Sequence, residues 1–272
     1  MALVPFPGGS AAPAPRHDDE RHIQLTDPEA LDDGKMSFLE HLDELRKRLI
    51  NCVIALVAGC AVAFIFVGRI EAFIMVPLLR FMPEGQTFIF TDGFEPFMLV
   101  MKIGALGGLM IASPFIIWQL WLFIAPGLYS HEKRFAIPFV VLSTVFFLLG
   151  AAFSHYIAFP WTWQFFVSWE TEYMKFLPSI KPMFGTYVKM LLAFGLIFQL
   201  PTIVFFLARM GVVTAGMMAR NTKYAVLAIF IVAAVLSPGT DVVSQTLMAG
   251  PMLGLYGISI IVAWVFGKKK AV

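Results

Sequence analysis

Six stretches of the sequence are apolar and carry almost no charge. They cover residues 49–67, 98–125, 135–159, 188–208, 224–236 and 243–266. A helix advances about 1.5 Å per residue, so about 20 residues cross the hydrocarbon core of a bilayer, which is about 30 Å thick. The pattern predicts an all-α polytopic membrane protein with six transmembrane helices.

The last two apolar segments differ from the others. Residues 224–236 would form only about 20 Å of helix, and Ser237, Pro238 and Gly239 follow directly before the sixth segment. We expect helices five and six to be short, and to thin the bilayer locally or stop short of crossing it.

In the fourth segment, Pro201 leaves a carbonyl of the preceding turn without a donor, which predicts a bend.

Polar sequence flanks the six segments. Residues 1–35 are rich in Pro, Ala, Gly and Asp and hold no long apolar run, which predicts a disordered cytoplasmic tail. Residues 36–267 form the predicted six-helix transmembrane domain, and residues 268–272 form a basic cytoplasmic end. Fourteen of the 20 Lys and Arg residues lie on the side that carries both termini, which predicts that both termini are cytoplasmic.

Composition agrees with a membrane protein and argues against an enzyme. Of the 272 residues, 59% are hydrophobic and 14% are charged, whereas soluble domains have about 25% charged residues. The net charge is only +2. The sequence contains no Gly-x-x-x-x-Gly-Lys-Ser/Thr loop, no His-Glu-x-x-His and no paired Cys motif. We therefore predict no enzymatic activity, no cofactor, no metal site and no nucleic-acid partner.

Two acidic residues stand beside cations at the predicted cytoplasmic ends of membrane helices. Glu44 precedes the first segment, and Glu132 follows the Pro126-Gly127 break after the second. A carboxylate can hold a guanidinium group through two parallel hydrogen bonds, a geometry that an ammonium group cannot copy. The two acids predict a binding site for an arginine-bearing peptide.

A simpler interpretation of the two acids stays open. Glu44 can pair with Arg48 one helical turn further on, a contact worth about 0.2–0.5 kcal/mol. Glu132 can be a loop acid screened by Lys133 and Arg134.

Two further polar residues lie in or beside later segments. Gln199 is about 15 Å inside the fourth segment, where polar side chains usually face another protein surface. We expect it either to bond to another helix of this chain or to form a docking site for a partner helix. Asp241 precedes the sixth segment and is expected to be a solvated turn acid or the N-cap of that helix.

Three motifs, in this order, resemble those of the TatC family, the multispanning core of the twin-arginine protein translocase. They are residues 41–48 (HLDELRKR), 123–126 with 131–134 (FIAP and HEKR), and 237–245 (SPGTDVVSQ). Residues 92–97 (DGFEPF) and Pro77 fit the family as well. The resemblance therefore extends from about residue 36 to 266 and makes residues 36–267 a TatC-like domain.

The resemblance implies a receptor in the bacterial inner membrane that recognises twin-arginine signal peptides of folded proteins on the cytoplasmic face. In this reading Glu44 and Glu132 meet the two arginines, in a site shaped by Arg46, Phe123, Pro126, Lys133 and Arg134. It also implies self-association and single-span partners of the TatB and TatA type, docked mainly on the fifth helix. Roles toward partners or translocation would fall to Gln199, which is often Glu in the family, and to Asp241 and Pro77.

Two rival functions come from other classes of protein. Secondary transporters of small solutes often show inverted repeats and ionisable groups at mid-membrane. This sequence shows no internal repeat, and its best mid-membrane polar residue, Gln199, is neutral. A passive structural subunit, the third possibility, would bind no signal peptide by itself.

Overall fold

The described part of the chain is almost entirely helical. A computed structural model of the chain describes residues 38–80, 82, 87–124, 136–173, 177–237, 239 and 241–267. Their regular structure is helical apart from isolated β-bridges. The helices are α1 (Phe38–Ile65), α2 (Val67–Leu79), α3 (Glu95–Ile124), α4 (Ala136–Phe153), α5 (Phe159–Val167), α6 (Ile180–Ile197), α7 (Leu200–Met210), α8 (Ala215–Arg220), α9 (Thr222–Leu236) and α10 (Val242–Phe266).

Glu44–Val272 form one compact unit and Met1–Asp43 another, of which only the start of α1 is described. The predicted tail at residues 1–35 and the basic end at residues 268–272 lie outside the described residues.

Five helical stretches are long and apolar enough to cross a membrane, and a sixth is apolar but shorter. The third stretch joins α4 to α5 through a π-helical segment, Ser154–Ala158, and the fourth contains α6 and α7. The predicted all-α architecture with six membrane helices is confirmed. The five long stretches are Leu39–Ile65, Glu95–Phe123, Ile137–Val167, Ile180–Met210 and Val242–Phe266.

The fifth membrane helix is short and the sixth is not. Helix α9 has 15 residues, or about 22 Å, which is less than the thickness of a hydrocarbon core. Its shortness was correctly predicted. Helix α10 has 25 residues, or about 37 Å, so the expectation that helix six is also short is wrong. The reason is that α10 begins at Val242, directly after its N-cap, and continues through Pro251 to Phe266.

The ends of several helices meet at one end of the bundle. Arg48, near the start of α1, bonds to Gln119, near the end of α3. The last turns of α3 pack with the start of α4 and the end of α7 in one apolar cluster. Phe205 of α7 in turn packs edge-on against Phe266 of α10, with 5.0 Å between ring centroids. Arg48 of the first helix and Phe266 at the end of the last helix therefore lie at the same end.

Helix α6 is the centre of the main apolar core. Phe184, Tyr187, Met190 and Phe194 are each 2% exposed or less and follow one another at helical spacing. They pack with buried residues of α2, α3, α5, α9, α10 and the π-helical segment. The Tyr187 hydroxyl is 2.8 Å from Nδ1 of the buried His155, so the polar atoms of this pair are matched inside the core.

Proline interrupts one membrane helix and leaves another intact. Pro114 has no N–H for the carbonyl of Met110, but the hydroxyl of Ser113 donates to that carbonyl at 2.8 Å and α3 continues. In the fourth stretch, the helix stops at Ile197 and restarts at Leu200, directly before Pro201. The bend predicted at Pro201 is thus a short break between α6 and α7.

Two connections are joined at the opposite end of α3. The Ile89 amide donates to the carbonyl of Pro178 at 3.2 Å, and the Ile180 amide donates to the carbonyl of Ile89 at 3.2 Å. This pairing ties the segment before α3 to the start of α6.

Helices α1 and α3 approach each other at two glycines. A Cβ atom at Gly59 would lie 2.5 Å from the carbonyl oxygen of Gly108, and a Cβ at Gly108 would lie 2.6 Å from the backbone nitrogen of Cys60. Small residues allow two helix backbones to come this close in a membrane.

Candidate functional site

An arginine links the acid Glu44 on α1 to Gln119 on α3. Arg48 Nη2 donates to Glu44 Oε1 at 3.1 Å, and Arg48 Nη1 donates to Gln119 Oε1 at 3.3 Å. Glu44 and Arg48 are four residues apart, so they lie on the same face of α1 one turn apart. The pairing proposed as the simpler interpretation of Glu44 is therefore present, with a third partner from another helix.

The ion pair is partly buried, and some of its polar atoms have no hydrogen-bond partner among the described residues. The side chains of Arg48 and Glu44 are 29% and 15% exposed, and Gln119 is 5% exposed. Glu44 Oε2 and Arg48 Nε are both buried, and neither has a hydrogen-bond partner among the described residues. A carboxylate oxygen and a guanidinium nitrogen without partners are costly away from water.

The other residues predicted for this site are only partly described. Arg46 is exposed on α1, and Phe123 is half-buried in the last turn of α3. The remaining predicted residues lie outside the described residues, and they are Pro126, Glu132, Lys133 and Arg134.

Gln119 belongs to this site and was not predicted from the sequence. It is a buried amide in a helix that is otherwise strongly apolar. A polar side chain in such a segment usually meets another protein group. The signal was therefore present in the sequence, two turns before the end of the second apolar segment.

Gln199 and Asp241 each have a partner inside the chain. Gln199 Nε2 donates to the carbonyl oxygen of Ser143 on α4 at 2.8 Å, which is the inter-helix hydrogen bond given as one of its two alternatives. Asp241 is the N-cap of α10: its carboxylate accepts from the Ser244 amide at 2.7 Å and from the Ser244 hydroxyl at 2.8 Å. The hydrogen bond from the Ser244 amide holds the pKa of Asp241 below its ordinary value.

Pro77 is buried within α2. The predicted roles of Pro77, Gln199 and Asp241 toward partners stay predictions. Across the described ranges, no group of three or more His, Cys, Asp and Glu side chains is arranged to hold a metal ion.

Fold and site together define a class of protein. The chain is a multi-pass helical membrane protein with a half-buried acid–arginine pair at the end of the bundle where α3 ends. Comparison with known proteins gives the family.

The model of the family described as Sec-independent protein translocase protein (TatC) matches residues 40–251. The Sec-independent protein translocase protein TatC of Desulforapulum autotrophicum is 44% identical over 239 residues, which cover 88% of each chain. The TatC protein of Koribacter versatilis is 37% identical over 238 residues, covering 86% of this chain and 88% of its own. A crystal structure of the twin arginine translocase receptor TatC is similar with a TM-score of 0.73 and 37% identity, covering 82% of this chain and 98% of that one. The chain belongs to the TatC family and is a component of a protein translocase.

Proposed function

We propose that the chain is the core receptor subunit of a twin-arginine translocase and binds the twin-arginine signal peptides of folded proteins. Its relative of known structure is described as a twin arginine translocase receptor. Family membership favours this function over the transport of a small solute. In the proposed complex Glu44 and Glu132 each hold a guanidinium group of the peptide, in a site shaped by Arg46, Phe123, Pro126, Lys133 and Arg134.

The guanidinium group already bound to Glu44 is the observation that supports the proposal most. Arg48 Nη2 donates to this carboxylate at 3.1 Å, so the surroundings of Glu44 accommodate the group that a signal peptide would bring. The same arginine reaches Gln119, five residues before α3 ends at Ile124. Glu132 follows eight residues after Ile124, and eight extended residues span at most about 29 Å. These positions support a site that both acids share.

The second part of the proposal concerns partners in the membrane. On α9, Tyr224, Leu227, Ile231 and Val235 are each at least 57% exposed and recur every three or four residues. An apolar stripe on a short helix suits TatB- and TatA-type single-span helices, and a second copy of the chain is a further partner. A cysteine at position 227 should form a disulfide with a cysteine in the partner helix. A cysteine at position 141, which is exposed on α4, is the control and should form none.

We also propose that the protein lies in the bacterial inner membrane with both termini in the cytoplasm. The excess of Lys and Arg on the side of the termini supports this orientation. In a variant with Cys52 and Cys60 replaced by Ser, a cysteine at Tyr173, which is 95% exposed, should react with a membrane-impermeant reagent in intact cells. A cysteine at Lys47 should react only after the cells are broken.

Peptide binding by the full chain in lipid nanodiscs tests the receptor function. The probe is a labelled peptide with two arginines followed by an apolar segment. Glu44→Gln and Glu132→Gln should each weaken binding by about tenfold or more, because a charge-assisted hydrogen bond contributes about 1.5–3 kcal/mol. Asp43→Asn is the matched control, since it removes the same charge from the exposed neighbouring residue and should change the affinity by less than about twofold.

Salt provides a second measure in the same assay. Binding that depends on ion pairs weakens as ionic strength rises, so the wild-type dissociation constant should increase with salt and that of Glu44→Gln should increase less. Wild-type affinity in both Gln variants would show that the two acids are structural and that the receptor site lies elsewhere.

A further inference from the structure

Arg48 occupies the carboxylate that the proposed function assigns to an arginine of the signal peptide. The Arg48 guanidinium contacts Glu44 Oε1 at 3.1 Å. We propose that Arg48 competes with the signal peptide for Glu44, so that a peptide binds there only by displacing the receptor's own arginine. This inference rests on the proposed function and adds a regulatory contact to the same site.

Displacement is needed because Glu44 has no oxygen left to offer. Oε1 is bonded to Arg48, and Oε2 is buried beyond the reach of solvent, although no described residue bonds to it. Bidentate binding of a guanidinium group uses both carboxylate oxygens. A peptide arginine can therefore form its two parallel hydrogen bonds only after the Arg48 side chain has moved away and uncovered the carboxylate.

The contacts of Arg48 make such a movement possible. The ion pair with Glu44 uses one nitrogen of the guanidinium, Nη1 contacts Gln119 at a long 3.3 Å, and Nε has no partner among the described residues. The side chain is 29% exposed, so a rotation can carry the guanidinium group toward water. The hydrogen bond from Nη1 to the buried Gln119 helps to hold Arg48 at Glu44 and is given up when the guanidinium group moves to water.

The competition sets an affinity threshold. One guanidinium replaces another at Glu44, so the exchange by itself changes the free energy little. Net binding must then come from contacts elsewhere on the peptide, the second arginine and the apolar segment among them. Because Arg48 is on the same helix as Glu44, its effective concentration at the carboxylate is high. A competitor of this kind lowers the affinity of every ligand that binds Glu44 by the same factor.

Arg48→Met tests the inference in the nanodisc assay, with twin-arginine and twin-lysine peptides as probes. We expect both peptides to bind about fivefold more tightly, the factor that corresponds to loss of a half-exposed ion pair. The ratio of the two affinities should stay the same. Lys47→Met removes the same charge from the adjacent, exposed residue and should tighten binding by less than about twofold.

Gln119 gives an independent arm of the experiment. Gln119→Leu should tighten peptide binding, by less than Arg48→Met does, because the resting Arg48 loses one of the two partners that hold it at Glu44. In the Arg48→Met background, Gln119→Leu should have no effect on binding. Arg48→Lys, which keeps the charge but lacks the fork that spans Glu44 and Gln119, should lie between wild type and Arg48→Met, and it replaces Arg48→Met if that variant does not fold.

The outcomes separate the two proposals. Weaker binding in Arg48→Met, or a gain no larger than that of Lys47→Met, overturns the competition. A selective loss of the twin-arginine peptide would instead show that Arg48 orients Glu44 for the ligand. If Glu44→Gln weakens binding while Arg48→Met does not tighten it, only the competition fails. If Glu44→Gln leaves binding unchanged, the proposed receptor site itself fails.

Discussion

The contact between α1 and α3 depends on the absence of a side chain at Gly108. A Cβ atom at this position would lie 2.5 Å from Sγ of Cys60 and 2.6 Å from its backbone nitrogen. The sulfur atom can rotate away, but the backbone nitrogen moves only if α1 moves with it. We therefore predict that Gly108→Ala pushes the two helices apart.

The size of the effect follows from two opposing contributions. Ordinary contacts of a Cβ atom begin near 3.4 Å, so the helices must separate by roughly 0.8 Å, and overpacking of this kind costs about 1–3 kcal/mol. Alanine is favoured over glycine in a helix by about 0.5–1 kcal/mol. We expect a net loss of about 0–2.5 kcal/mol in the free energy of unfolding, with a central value of about 1 kcal/mol.

Unfolding in mixed micelles of rising SDS content, followed by tryptophan fluorescence, measures this loss. Gly254→Ala on α10 is the matched control, because nothing lies within 4 Å of the Cβ that it adds. That variant should be as stable as the wild type or more stable by about 0.5–1 kcal/mol. Gly59→Ala, whose Cβ would meet the Gly108 carbonyl oxygen at 2.5 Å, should be destabilised like Gly108→Ala.

The double variant sharpens the test. Once one alanine has separated the helices, the second should cost less, so the two losses should not add. Equal stability of Gly108→Ala and Gly254→Ala would refute the close contact between α1 and α3.

Two further predictions concern hydrogen bonds at helix breaks and ends. Gln199→Leu removes the donor to the Ser143 carbonyl and should lower the free energy of unfolding by about 0.5–1.5 kcal/mol in the same assay. Gln199→Glu should be less stable at neutral than at acidic pH, because only the protonated carboxyl can donate to that carbonyl. Asp241→Ala should speed hydrogen exchange of the Ser244 amide, and Asp241→Asn, which keeps an N-cap oxygen, should not. Because the pKa of Asp241 is lowered from 3.8, the capping of wild-type α10 should persist at neutral pH and be lost as the pH falls below that value, and Asp241→Asn should show no such loss.

Helix number and approximate position followed from the sequence because the bilayer imposes a simple requirement. A stretch of about 20 uncharged residues has few alternatives to a membrane helix, and each of the six stretches is mainly helical over its described residues. The length of α9 was predictable for the same reason. The predicted shortness of α10 is wrong, because the break in the helical pattern after Leu236 ends α9 but leaves α10 with 25 residues.

Contacts between helices were harder to predict. The sequence pointed to Glu44 and offered Arg48 as its partner, because both lie on one helix at a fixed spacing. Gln119 is on another helix, 71 residues after Arg48. The spacing of residues along the chain does not indicate which faces of α1 and α3 are in contact. The pairing of Ile89 with Ser179 and the contact of Gly59 with Gly108 were missed for the same reason.

The two parts of the fourth membrane stretch, on either side of the break after Ile197, have different main neighbours, although the end of α7 also contacts α3 and α4. Helix α6 packs beside α4, where Gly150 lies against the carbonyl of Phe194, while α7 packs beside α10. The fourth membrane stretch thus connects α10 to the remainder of the bundle. If the chain is divided within residues 211–214, the N-terminal fragment keeps the face of α7 that packs beside α10. The two fragments, synthesised separately, should therefore associate and reassemble.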